Sequence, residues 1–483
     1  MMRSMFSGVT GLRTHQSRMD VIAHNIANVN TTGFKSSRMT FAEAFSQTIQ
    51  GASAPNPVAG RGGTNPMQVG LGVNVSSIQR MMTPGAAQRT DDPLHLMIQD
   101  DGFFVVGDNV SGLFFTRAGD FQRDEEWNIH MPNGMMLQGW PAAWHPGGAG
   151  PERNAETLEP IGPVPGMVQG ISISPEMRMV PPLATGNVRM TGNLRPADAV
   201  NRPIPSTINF QDSLGTEYRL QIQFVLDGYD WVVQMADHMV RTSDNARTYL
   251  SAPTTPPPFV TPGLGTLPPP IAGWHNLTSF TFTDGGNPYM PTSPPVANIN
   301  DGFVMMLDIN DMVAGSLPPG VNFGQNHPGQ AAAAPTMVRL DFRQMTQFDS
   351  PSGVTSRNMD GLSAGTLMGI SVGSDGIITG TYSNGQTFDL WQIALARFEN
   401  PAGLMAMGGN LFARTANSGD FDGIGVSVAN AGTSLLGGTL EMSNVDLAAE
   451  FTEMITTQRG FQANSRIIST SDEMLQELVN LRR

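Results

Sequence analysis

Residues 443–483 read SNVDLAAEFTEMITTQRGFQANSRIISTSDEMLQELVNLRR, and the reading of this stretch decides the fold. Leu447, Met454, Phe461, Ile468 and Leu475 recur at a seven-residue step, with Phe451, Leu478 and Val479 widening the stripe at its ends. A sustained seven-residue repeat is a seam for another helix, whereas a globular-core helix shows a broader face. Ser443 followed three residues on by Asp446 predicts a capping-box-like start, Asp standing where Glu or Gln is usual. No Pro interrupts the run. The other end of the chain answers it: Met5, Leu12, Met19 and Ile26 keep the same step, and Val9, Ile22 and Val29 thicken the stripe. Asn28, Asn30 and Gly33 then supply stop signals.

A handful of seam side chains buries too little apolar surface to offset the backbone entropy of both ends. The expectation is therefore that the termini become ordered helices when neighbouring copies pack against them. An intramolecular helical hairpin satisfies the same pattern.

With 483 residues, the chain has room for two or three domains. Charged residues make up only 14%, while Gly (54) and Pro (36) are abundant, which favours short strands and turns through the middle. The formal charge is −14, Lys35 is the single lysine, and no basic cluster exists, so nucleic acid is not an expected partner. The absence of cysteine excludes disulfides, thiolate-held metal and a cysteine nucleophile. The start, Met1 to Gly8, has neither a continuous apolar core nor a small-residue cleavage site, so no Sec signal peptide is expected. No window approaches eighteen apolar residues, so no membrane insertion is expected.

Between the ends the pattern changes several times. Phe34 to Gln50 has mixed spacing, fitting a short helix or an extended segment, and Gly51 to Gly72 reads as a polar linker or arm. From Val73 the period becomes two. Asp101-Gly102, Asn133-Gly134, Asp375-Gly376 and Asn384-Gly385 are turn signals between strands. Ala142 to Pro182 is irregular, and Gly186 opens a second β region through Ile208, Phe210, Leu220, Ile222, Phe224 and Trp231. Ser251 to Asn298 holds about a dozen prolines, which predicts a stiff surface excursion.

Catalytic chemistry is not legible. The eight histidines (His15, His24, His95, His130, His145, His238, His275 and His327) never take a metal-ligand spacing, and no nucleophile elbow or phosphate-binding loop occurs. His15 and His24 read as lateral polar contacts on the first helix. Asp91-Asp92, Asp100-Asp101 and Asp124-Glu125-Glu126 read as solvated turn charges without EF-hand spacing. No cofactor, metal site or enzymatic activity is expected.

The two ends resemble the axial proteins of the bacterial flagellum, the rod and hook family, and are closest to its hook members. The resemblance rests on Asn25-Ile26-Ala27-Asn28 through Gly33-Phe34-Lys35, on Ser443-Asn444-Val445-Asp446-Leu447, and on Gln458-Arg459-Gly460-Phe461-Gln462-Ala463-Asn464-Ser465. Further matches are Leu94, Ile98, Gly102-Phe103-Phe104, Thr116-Arg117-Ala118-Gly119, and the run from Phe398 to Leu404. The pattern departs at Asp92, His95 and Asp101, and the region of Trp127 lacks the family's Asp-x-x-Gly turn.

The resemblance implies an α+β fold: N- and C-terminal helices pair in a coiled-coil-like layer, with two mainly-β domains between them. The expected divisions are a helical domain at 1–33 and 443–483, an arm at 34–72 and 419–442, an inner β domain at 73–141 and 351–418, and an inserted outer β domain at 142–350. It implies a subunit of the flagellar hook that polymerises into a curved tube joining rod to filament, with itself, the rod, the hook cap, the hook–filament junction protein and the export apparatus as partners. It further implies export through the flagellar type III channel to the outside of the cell without a cleaved signal. The expected assembly residues are Met5, Val9, Leu12, Met19, Ile22, Ile26, Leu447, Phe451, Met454, Phe461, Ile468 and Leu475. A distal rod protein is the alternative within the family, and a secreted β-rich binding protein or hydrolase the alternative outside it.

Overall fold

The computed structural model describes residues 2–55, 62–108, 112–143, 162–199, 202–228, 230–250, 274–282, 288–289, 304–313, 321–324, 337–358 and 360–480. Two long helices, Met2–Ala27 and Leu447–Asn480, pack on one another, and the chain between them is mainly β. This is the α+β layout expected from the two ends. Both helices are formed and paired within a single chain, where the sequence placed their ordering in contacts between copies. The difference arises because the apolar stripe is not what joins them: polar seam bonds and an adjoining β hairpin hold the pair, as described below.

The C-terminal helix starts later than Ser443 predicts. Asp446 is its N-cap, the Oδ1 atom accepting the amides of Ala448 at 2.9 Å and Ala449 at 3.2 Å. The N-terminal helix stops at Ala27, and Gly33 takes a φ of +67° at the exit.

Residues 34–50 are extended. Ser37–Glu43 pairs antiparallel with Val73–Arg80, and Ser46–Gln50 with Met67–Gly70, which makes one long hairpin arm. Val73–Arg80, expected in the inner β domain, therefore belongs to this arm. Its alternation half-buries Val73, Val75 and Ser77, and the Val73 amide donates to Thr10 Oγ1 on the first helix at 3.4 Å. The outer part of the arm, Ser46–Gln50 with Met67–Gly70, is exposed at every residue.

The inner β region is built on one antiparallel sheet of thirteen strands among the described residues. Its main path runs from Met179–Val180 through Gly365–Val372, Ile377–Tyr382, Thr387–Ile393, Met136–Pro141, Phe103–Asp108, Gly112–Thr116 and Leu411–Ala413 to Met405–Gly408. Phe104, Val106, Leu137, Ile378, Leu390 and Ile393 centre its core, and a second cluster packs the rings of Phe103, Phe115, Phe398 and Phe412 edge to face. Residues 169–180, expected in the outer domain, contribute Ile171, Ile173, Met177 and Val180 to this inner core. Their Pro- and Gly-rich setting hid that short alternation. The stretch expected as a lead into the last helix is also structural, since Leu435–Gly437 pairs with Leu96–Ile98 and Thr439–Glu441 with Ala87–Arg89.

The turns fall where the Gly signals placed them, with Gly134, Gly376 and Gly385 at positive φ. At the departure near Trp127, Trp127 itself takes the left-handed conformation (φ +69°), with the Arg123 guanidinium 4.1 Å from its ring centroid.

The outer region packs two sheets around a separate core. Asn187–Asn193 lies between Val338–Thr346, to which it is parallel, and Gly353–Asn358, to which it is antiparallel. Ile204–Gln211, Glu217–Asp227 and Asp230–Arg241 form an antiparallel meander. Ile222, Phe224, Trp231, Val233, Met235 and Phe342 from both sheets are fully buried together. Most of the proline-rich stretch from Ser251 to Asn298 lies outside the described residues.

Candidate functional site

The two terminal helices run antiparallel, and the contacts between them give the register. Ser4 Oγ lies 3.5 Å from Ser471 Oγ, Arg18 Nη2 donates to Glu453 Oε2 at 3.0 Å, and Asn25 Nδ2 donates to Glu450 Oε1 at 2.9 Å. Between these polar ties the helices come very close. A Cβ on Gly11 would sit 2.6 Å from Asn464 Nδ2, one on Gly8 3.2 Å from Ile468 Cγ1, and one on Gly460 2.7 Å from the His15 ring. Glycine is unfavourable inside a helix by about 1 kcal/mol relative to alanine, and close approach is what it provides here. Burial holds the His15 imidazole below its ordinary pKa, and the charge of Arg18 acts in the same direction.

The seam thus consists of small and polar residues in two rows with the seven-residue step: Ser4, Gly11, Arg18 and Asn25 on one helix, Glu450, Thr457, Asn464 and Ser471 on the other. Asn25, Thr457 and Ser471 are buried. Of the twelve residues expected to form the assembly seam, only Ile22 is buried. Met5, Leu12, Met19, Ile26, Met454, Phe461, Ile468 and Leu475 are half-buried, flanking the seam. Val9, Leu447 and Phe451 face outward, Phe451 at 50% exposure, alongside Phe6 at 64% and Ile455 at 56%. Within one chain, then, the apolar stripe lies beside the helix–helix contact. The intrachain contact shares the seven-residue period but runs along a row of small and polar residues, which carry no hydropathy signal.

Below the seam, four chain segments are knotted together. Lys35 Nζ donates to Glu441 Oε1 at 2.6 Å and to the Thr83 carbonyl at 2.8 Å, and the Gly85 amide donates to the same Oε1 at 2.9 Å. Arg117 Nη1 approaches Glu441 Oε2 at 3.6 Å, and all three charged side chains are at most 2% exposed. Burial pulls the Lys35 ammonium below its ordinary pKa, opposed by the charge and hydrogen bond of Glu441. A buried cluster of this kind loses heavily when one member is removed, because the others are left as uncompensated charges.

Asn444 completes the knot: its Oδ1 accepts the Ser36 amide at 2.7 Å, and its Nδ2 donates to the Met81 carbonyl at 2.8 Å. Gly33 is required beside it, since a Cβ there would lie 2.6 Å from the Ala118 amide nitrogen. The motifs around Gly33-Phe34-Lys35, Thr116-Arg117-Ala118-Gly119 and Ser443-Asn444 therefore meet at one place, which fastens the helix pair to the inner sheet. Sequence reading identified these motifs without assigning Lys35, Arg117 and Glu441 to one cluster.

A pair of long terminal helices fastened to an inserted series of β regions defines an axial-type flagellar protein, and family models match along the chain accordingly. They are the flagella basal body rod protein at residues 5–35, the flagellar hook protein FlgE/F/G D1 domain at 97–190, the flagellar basal body protein FlaE D2 domain at 185–362, and the flagellar basal body rod FlgEFG protein C-terminal at 436–481. The chain is 35% identical to the flagellar hook protein FlgE of Borreliella burgdorferi and 34% identical to that of Treponema pallidum, in both cases over the whole of both chains. To the flagellar hook protein FlgE of Salmonella typhimurium it is 28% identical, over 99% of this chain and all of that one. The chain belongs to the flagellar hook protein family.

Proposed function

We propose that this chain is the structural subunit of a flagellar hook, outside the cell, where many copies polymerise into a flexible curved tube that carries torque from rod to filament. The observation that supports this reading best is the helix pair: its innermost row is small and polar, and most of its apolar residues flank that row or face outward. An exposed apolar row of that length is a surface for other helices. Neighbouring copies cover Val9, Leu447 and Phe451 and finish burying Met454, Phe461, Ile468 and Leu475. The β regions, grouped as an inner and an inserted outer domain, stand outside this layer of helices. The rod below, the junction protein above, the cap during growth and the export apparatus are the further partners of such a subunit, which leaves the cell without a cleaved signal.

The test places a charge at two positions of the apolar row. Phe451→Asp and Phe461→Asp are expected to abolish polymerisation, seen as tubes in electron micrographs, while the circular dichroism of the soluble subunit stays that of the parent. Normal tubes from both variants would refute the assignment of these residues.

A further inference from the structure

At the foot of the helix pair, the end of the N-terminal helix, the base of the arm and the hairpin of Met405–Gly408 with Leu411–Ala413 border a cavity of about 270 Å³. His24, Asn28, Phe34, Arg80, Asn410 and Phe412 line it, and Lys35 reaches it from the knot. Met405–Gly408 is the last strand on the main path of the inner sheet and is exposed at every residue. A Cβ on Gly408 or on Gly409 would meet nothing within 4 Å, so the cavity opens to solvent beside them.

Arg80 enters this cavity without a counter-charge. Its guanidinium lies over the Phe412 ring, 5.2 Å from the centroid. Among the described residues, burial lowers the pKa of two arginines and of the one lysine: Arg80, Arg117 and Lys35. At Lys35 and Arg117 the charge of Glu441 opposes the shift, whereas at Arg80 no carboxylate does. The amides around it are engaged elsewhere: Asn28 Nδ2 donates to the His24 carbonyl at 2.9 Å, and Asn410 Nδ2 to the Thr32 carbonyl at 2.7 Å. An aromatic face recovers part of the cost of drawing a cation out of water, and an opposite charge recovers more. In the single chain that opposite charge is missing from the described surroundings of Arg80.

We propose that the cavity is a binding site for a carboxylate side chain of a second copy of this chain, held by the Arg80 guanidinium. The inference rests on the polymer reading above and adds to it a contact at the inner β region, apart from the helices. Charge complementarity points to a second copy: the chain carries a formal charge of −14, so packed copies repel unless acidic groups of one meet cations of the next. A guanidinium offers a carboxylate two parallel donors. The rim agrees. Residues 400–413 carry no charge, and the strand beside the cavity presents an open edge with Met405 and Met407 about half exposed. An uncharged open edge is what a chain that stays single keeps covered, and methionine adapts to a contact whose shape varies.

The chain has no cysteine, so Ala406→Cys, at an exposed position on the cavity rim, gives the full-length protein a unique thiol. A maleimide should modify it freely in the soluble subunit and at least tenfold more slowly in assembled tubes. The subunit concentration needed for tubes should rise little in Arg80→Lys, at least fivefold in Arg80→Gln and further in Arg80→Glu, with the circular dichroism of each soluble subunit that of the parent. Equal maleimide rates in subunit and tube would overturn the proposal, and are the result expected if only a free anion enters the cavity. Arg80→Gln and Arg80→Glu assembling alike would overturn it too, since no incoming carboxylate would then be sensed. Should the Arg80 variants fail to fold, the thiol in the otherwise unchanged chain decides by its protection. Tubes with an unprotected thiol would sink this site and leave the hook reading standing, whereas no tubes from the parent would remove both.

Discussion

The terminal helix pair and the outer β region follow opposite rules. In the outer region, apolar side chains go inside: Ile204–Gln211 alternates buried with exposed residue by residue, and the buried polar pair there, Gln223 and Gln234, is satisfied by a mutual hydrogen bond of 2.8 Å. In the helix pair, the buried positions include Thr14, Asn25, Thr457 and Ser471, while Phe6, Phe451 and Ile455 stand in solvent. Exposed apolar residues scattered singly carry no message, whereas a contiguous row beside a polar seam does. The outer region has a core of its own. The helices have a seam that sets register and an apolar face turned outward.

The difference can be broken first at the knot that fastens the helices. Glu441→Gln leaves Lys35 and Arg117 as buried cations without a counter-charge, a loss of roughly 3–5 kcal/mol. All six tryptophans lie between Trp127 and Trp391, none of them on the terminal helices. Urea unfolding followed by circular dichroism at the helix band should therefore shift to lower denaturant, with the tryptophan transition moving less. An equal shift in both signals would mean that helices and β regions form one cooperative unit and that the contrast is one of composition alone.

The seam itself is the next target. Gly11→Val places methyl groups where Asn464 now lies, and overpacking of this kind costs about 1–3 kcal/mol. Val9→Ala, two residues away on the exposed side, should stay within about 0.5 kcal/mol in the soluble subunit, since surface changes away from special features seldom do more. A larger loss at Val9 than at Gly11, in the same denaturation measurement, would reverse the assignment of inside and outside.

These positions also show what the sequence made legible. The seven-residue step, the end of the first helix and the turns at Gly134, Gly376 and Gly385 are readable because hydropathy period and glycine conformation are local signals. The row of contact is not, since Gly11, Thr457 and Asn464 differ from solvent-facing residues only in what lies across from them. Pairing of Ser37–Glu43 with Val73–Arg80 was likewise hidden, as a polar stretch separates two strands whose alternation is weak. The meeting of Lys35 with Glu441 spans 406 residues of chain. A lone lysine in a sequence rich in arginine was nonetheless a sign available in advance. At an exposed site the two cations serve alike, whereas a compact ammonium donating at once to a carboxylate and a carbonyl is a different requirement from a planar fork.

The finest test concerns Glu450, at the end of the seam nearest the knot. Burial raises its pKa above the ordinary value of 4.5, the negative charges of Glu453 and Asp446 add to this, and the Asn25 hydrogen bond and Arg18 oppose it. A carboxyl raised in the folded state holds its proton at pH values where the unfolded chain has released it. Its contribution is therefore present below about 4.5 and is lost as pH rises through the folded value. Acidifying from pH 7 to below about 4.5 should steady the helix pair at this position, by a small increment because solvent screens a partly exposed group. Glu450→Gln keeps an acceptor for Asn25 and removes the charge. It should be slightly more stable than the parent at pH 7 and should lack this increment on acidification, measured as the difference in urea midpoint between the two pH values. Because Asn25 also accepts the Ser37 amide at 2.9 Å, a loss of stability in Glu450→Gln at neutral pH would mean that the ionised carboxylate is needed to orient Asn25. The polar seam would then depend on its charges as well as on its small size.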